Sequence, residues 1–132
     1  MNARGDQPPT IGDMEEIAAR AFETIPETLR KHVTDVRIVV EEFPSAEVMR
    51  EMALESPFDL LGLYEGVPIG DRSVSDVRQD IDMIFLYRRP LLDYWVENNE
   101  RLEDVVRHVL IHEIGHHFGF SDDDMEHIEE AG

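Results

Sequence analysis

The chain has 132 residues, 42% hydrophobic and 8% aromatic, enough for the core of one compact domain and too few for two. It has no cysteine, which excludes disulfides, thiolate metal sites and cysteine nucleophiles, so any metal must be held by histidine and carboxylate. Thirty acidic residues against twelve basic ones give a formal charge of −18, which argues against nucleic acid and anionic membrane surfaces as partners.

Residues 1–10, MNARGDQPPT, are polar with Pro and Gly, so a flexible tail is expected ahead of a single domain over 11–132. No apolar run approaches the roughly 18 residues that span a bilayer, and no basic segment followed by an apolar one opens the chain. A soluble, cytoplasmic protein is expected. Asp13 is placed to cap a helix whose apolar positions Met14, Ile17, Ala18, Ala21, Phe22 and Ile25 follow the helical period. Pro26 then opens a further turn through Leu29 and Val33. The β-branched segment 35–43 (DVRIVVEEF), ending at Pro44, predicts a strand, and Ser45 caps a short helix with Val48, Met49 and Met52 on its apolar side.

Two more strands are expected over 60–66 and 80–88, joined by a long Gly/Pro/Asp/Ser loop. Pro90 is placed to open a short helix that ends at Asn98 and Asn99. A long helix over about 100–118 and an acidic one over about 122–130 complete an α+β fold with a small mixed sheet.

The long helix contains HExxH as His112, Glu113, Ile114, Gly115 and His116. The i, i+4 spacing puts both imidazoles on one helical face, about 6 Å apart along the axis. Zinc suits such a pair, because neutral imidazole nitrogens bind it and a catalytic site needs three protein ligands with one position left for water. Glu113 points roughly 100° around the helix from His112, within reach of that water as a general base. On the helical wheel the three side chains fall within or beside the apolar arc set by Leu102, Val105, Val106, Val109 and Leu110, so they are expected to face inward. Ile111, Ile114 and Phe118 fall on the opposite side, which predicts cover on two sides. The bland alternative is a surface helix that happens to carry two histidines.

The motif extends to HExxHxxGxxD. Gly119 is placed to take the left-handed conformation that ends a helix, turning the chain so that Asp122 comes back toward the ion as third ligand. Asp122 also has a plainer reading, as the cap of the last helix. Gly115 costs about 1 kcal/mol against alanine in a helix interior and fits either a close backbone approach or neutral variation.

These residues resemble the small bacterial zincin-like metallopeptidases, which carry HExxHxxGxxD near the C-terminus. The resemblance extends over 25–30 (IPETLR), 36–44, 60–73, 82–92 and 109–125. It implies a compact α+β zincin-like domain with a mixed sheet packed on the active-site helix. It further implies zinc held by His112, His116 and Asp122, with Glu113 as catalytic acid/base, and a peptide or protein as substrate.

The remaining polar residues carry plainer expectations. His108 lies about 12 Å along the axis from His116, too far for all three histidines to share one ion, so it is expected on the helix flank. His117 and His127 are assigned surface or packing roles, and Tyr64, Tyr87 and Tyr94 are assigned to packing. Met14, Met49, Met52 and Met83 are expected in the core. The strand over 82–88, if it lies at the sheet edge, could pair with an extended peptide. The competing function is a non-catalytic zinc-binding interaction domain, whose closed site would need a fourth ligand from His127, Asp123 or Asp124.

Overall fold

Thr10 starts the first helix. Its hydroxyl accepts from the Asp13 N–H at 3.0 Å, while the Asp13 carboxylate accepts from the Thr10 N–H at 2.9 Å, a reciprocal box that sets α1 at Ile11–Glu23. The cap expected at Asp13 is thus Thr10, with Asp13 as the third helical residue. The computed structural model describes residues 7–33, 35–68 and 80–131. Residues 1–6 of the expected tail and 69–79 of the expected loop lie outside the described residues.

After α1 come the single turn α2 (Glu27–Arg30), strand β1 (Val36–Glu41) and α3 (Ala46–Glu51), the last capped by the Ser45 hydroxyl, which accepts from Val48 N–H at 3.1 Å. Strands β2 (Gly62–Pro68) and β3 (Asp80–Tyr87) follow. The chain enters α4 (Arg88–Glu97) straight from β3, so Pro90 is the third helical residue and not the first as expected. A proline is tolerated there because the first four N–H groups of a helix have no intrahelical acceptor. The long α5 (Leu102–His117) and α6 (Asp122–Ala131) close the fold.

The sheet is mixed, in the order β1-β3-β2, with β1 parallel and β2 antiparallel to β3. The strand over 82–88, expected as a candidate edge, is therefore central, hydrogen-bonded on both sides. Among the described residues, the sheet edge on the side of α5 belongs to β2. Tyr87 N–H donates to Leu61 C=O at 3.0 Å, so Leu61, Leu63 and Glu65 turn their backbone groups toward β3 and Gly62, Tyr64 and Gly66 turn theirs outward.

One sheet face, carrying Val40, Ile84 and Leu86, packs against α1 and α5. Val105, Val106, Val109 and Leu110 are buried on one side of α5, and Ile111 and Ile114 on the other. The helix is covered on two sides, as its all-round apolar end predicts. At Gly62 a methyl would sit 2.9 Å from Val109 Cγ1 and 3.0 Å from Phe85 O, which lets the edge strand lie close on α5. Met14 is fully buried as expected, whereas Met52, expected in the core, is 45% exposed because it falls at the C-terminal cap of α3, beyond that helix's covered side. No helix of the described residues is long and apolar enough to cross a membrane.

Candidate metal centre

The C-terminal half of α5 presents His112, Glu113 and His116, and the end of that helix decides what faces them. Gly119 has φ +85°, Gly119 N–H donates to His116 C=O at 3.2 Å, and Phe120 N–H donates to Gly115 C=O at 2.8 Å, the paired closure of a Schellman end. The chain then turns into α6. Ser121 caps that helix: its hydroxyl accepts from Asp124 N–H at 3.0 Å, and the Asp124 carboxylate accepts from Ser121 N–H at 3.3 Å. Capping thus falls to Ser121 and Asp124, and Asp122 at the first helical position keeps its carboxylate for other contacts.

Asp122 Oδ1 lies 3.4 Å from His116 Nε2, and ligand atoms of His112, His116 and Asp122 all lie within 4.8 Å of one another. Two donors at 2.0–2.1 Å on a tetrahedral ion stand roughly 3.4 Å apart. Two imidazoles and a carboxylate at this spacing fit zinc in both chemistry and size. The site is more open than the helical pattern suggests: the His116 and Asp122 side chains are 57% and 85% exposed, and only His112 is largely covered. The inward face expected for all three motif residues holds for the first turn alone, because His116 lies in the last turn of α5, where the sheet no longer covers it.

Burial and the neighbouring His108 push the His112 pKa below the usual imidazole value, despite the opposing pull of Glu129. A neutral imidazole is the form that binds a metal. Glu113 moves the other way, pushed up mainly by burial, with the His116 charge and a hydrogen bond from Tyr64 N–H opposing. That N–H lies on the outer edge of β2, so the carboxylate sits between α5 and the edge strand.

Gly115 explains how closely α6 sits on α5. The Met125 Sδ occupies the space where a Cβ on Gly115 would be, and Met125 is fully buried. The close approach is by a side chain of α6, not by backbone.

A second group of donors shares His112. His108 Nδ1 lies 2.9 Å from Glu129 Oε2, His112 Nε2 lies 3.8 Å from Glu129 Oε1, and His108, His112 and Glu129 form another set with ligand atoms within 4.8 Å. His108, expected merely to flank the helix, thus pairs with an α6 carboxylate that sequence reasoning missed. The only signal for it was the position of His108 one turn before His112, since what lies opposite depends on how α6 crosses α5. Among the other candidates, His117 stacks on Tyr64 with ring centroids 4.0 Å apart, and His127 Nδ1 lies 2.8 Å from the Asp123 carbonyl within its own helix. The Tyr64 hydroxyl donates to Asp82 at 2.6 Å, so it packs with a satisfied hydroxyl as expected.

The family model described as zincin-like metallopeptidase matches residues 33–131, from the turn before β1 to the end of α6. The chain belongs to the zincin-like metallopeptidase family. The zincin-like region thus takes in the whole sheet and both helices of the donor set. No curated protein matches the sequence. A solved structure similar to this zincin-like chain is that of a conserved hypothetical protein from Thermus thermophilus, 25% identical, with a TM-score of 0.51, covering 83% of this chain and 94% of that one.

Proposed function

We propose that the protein is a zinc-dependent peptidase in which His112, His116 and Asp122 hold the metal and Glu113 is the general base. The observation that carries this reading is the gathering of those three donors at the open end of α5 beside a half-buried carboxylate. When bound there, zinc supplies Lewis-acid polarisation of the scissile carbonyl and makes water acidic near neutral pH. Glu113, with its raised pKa, accepts the proton of the attacking water and delivers it to the leaving amine. Apart from the Tyr64 N–H, which faces Glu113, the outward N–H and C=O groups of β2 offer an extended peptide a strand to pair with alongside the site, the role first assigned to the segment over 82–88. The Tyr64 N–H faces Glu113 from that edge and opposes the rise in its pKa.

Purified protein should carry about one zinc per chain, read by metal analysis. Glu113→Gln should keep the metal and lose hydrolysis of a mixed peptide library, whereas His116→Ala should lose the metal itself. Full activity in Glu113→Gln would sink the mechanism. A non-catalytic zinc domain is favoured by one observation, the position of Glu129 3.8 Å from His112, from which a fourth ligand can come. Metal-loaded protein that cleaves no peptide, and whose zinc affinity falls in Glu129→Gln, supports that reading instead.

A further inference from the structure

The sheet face turned away from α1 and α5 holds a groove that the metal site does not use. Glu41 and Tyr87 are register partners on β1 and β3, and Phe85 and Glu65 lie on the same face. Helix α3 closes the other side with Glu47 and Glu51, one turn apart. The groove encloses about 450 Å³.

Four carboxylates converge on this space, and none of them forms an ion pair among the described residues. Like charges at i, i+4 on a helix repel, so Glu47 and Glu51 gain nothing from one another. At the floor lies Tyr87, only 1% exposed, whose hydroxyl meets no hydrogen-bond partner among the described residues. Burial, then Glu41, Glu65 and Glu113, push its phenol up to about 12, so the hydroxyl stays protonated and neutral. That hydroxyl is not a fully buried orphan, so what surface Tyr87 keeps includes an unpaired oxygen that a ligand in the groove can reach. Carboxylates around a neutral phenol and a phenylalanine ring suit a cation with N–H donors and an apolar stem.

The groove reaches β2, the strand that packs on α5. Glu65 and Gly66 belong to β2, and the Glu113 charge reaches the Tyr87 phenol. A peptide paired along the outer edge of β2 sends alternate side chains to the two sheet faces, so every second residue is directed toward the groove.

We propose that this groove receives a lysine or arginine side chain of the bound peptide, making the protein selective for basic substrates; the word substrate here rests on the peptidase reading above. The carboxylates face the charged head, the two rings line its stem, and the Tyr87 hydroxyl accepts one of its N–H groups.

Binding tests this apart from cleavage. Fluorescent alanine-based decapeptides with a central Lys, Arg, Gln or Glu are titrated into zinc-loaded Glu113→Gln protein, which cannot turn them over. Lys and Arg peptides should bind at least tenfold more tightly than the Gln peptide. That preference should vanish when Glu41, Glu47, Glu51 and Glu65 are all changed to Gln, and fall several-fold in Tyr87→Phe. A control with Glu15, Glu16, Glu23 and Glu126 changed to Gln loses the same charge from exposed positions elsewhere and should keep the preference. Equal affinity for all four peptides, or equal loss in the control, would overturn the proposal by reducing it to overall charge. So would a lysine amide that binds as tightly as the lysine peptide, since the groove would then be a small-cation site. If wild-type protein cleaves peptides without this preference, the groove proposal alone fails; if the preference is present and no peptide is cleaved, the peptidase reading alone fails.

Discussion

His112 stands between two carboxylates, Asp122 and Glu129, and which of them shares a metal with it decides what the site can do. Both donor sets contain two histidines one turn apart and one acid. Glu129 already has a partner, since both of its oxygens lie within 3.0 Å of His108 Nδ1. Asp122 has only the longer 3.4 Å approach to His116, a separation better suited to two ligands of one ion than to a strong hydrogen bond. Asp122→Ala should therefore weaken zinc binding by about tenfold or more, while His108→Ala and Glu129→Gln should shift it by much less. Zinc titration of the three variants checks this, and the reverse order of effects would move the centre one turn down α5. At this scale the sequence was most informative. The motif residues carry fixed offsets along one helix, so their proximity follows from helical geometry alone. Asp122 adds only a three-residue turn through Gly119. Glu129 and Tyr64 were hidden because each reaches the site from another element, and no local spacing encodes a crossing of helices or the edge of a sheet.

The elements themselves were legible wherever apolar period and caps agreed. Ser45 marked α3, the β-branched run marked β1, and the long period marked α5 within two residues of its ends. Strand order was not legible. A hydrophobic run such as DMIFLYR looks alike at an edge or in the centre until its neighbours are known, and β3 proved central. Two glycines illustrate how element packing fixes the site. Gly115 makes room for Met125, which lets α6 lie against α5 and keeps Asp122 beside His116. Because Met125 is fully buried, it has little freedom to yield. Gly115→Ala should cost about 1–3 kcal/mol as overpacking and also lower zinc affinity by displacing α6. Gly119 differs: nothing lies within 4 Å of an added Cβ, so only its φ of +85° resists substitution. Gly119→Ala should cost about 1–2 kcal/mol, and Gly119→Asn less, since asparagine tolerates the left-handed region. Denaturant unfolding of the metal-stripped variants separates the stability effects from zinc affinity, and an unchanged Gly115→Ala midpoint would show that the helices re-pack freely.

Across the whole molecule, the metal centre leaves two opposed marks on the pH dependence of folding. The His112 pKa is lowered in the folded state, chiefly by burial, so the unfolded chain binds the extra proton more readily. Its contribution to stability is full above the ordinary imidazole value of about 6.5 and is lost as pH falls through the lowered folded value. Glu113 acts in the opposite sense. Its folded pKa is raised, again mainly by burial, so its contribution is full below the ordinary carboxylate value and is lost as pH rises through the folded one. Above the ordinary carboxylate value, folding of the metal-stripped protein therefore works against the Glu113 charge. Glutamine keeps the oxygen that accepts from Tyr64 N–H and removes the charge. Glu113→Gln should accordingly raise the unfolding midpoint of metal-stripped protein at pH 7, and the gain should shrink to nothing by about pH 4, where the wild-type carboxyl is itself protonated. His112→Gln should instead flatten the loss of stability just below pH 6.5. Thermal unfolding of the three stripped proteins from pH 4 to 8 measures both effects. A Glu113→Gln midpoint no higher than wild type at pH 7 would mean that the folded state stabilises the ionised carboxylate, and a base so stabilised would be too weak for the role assigned to it.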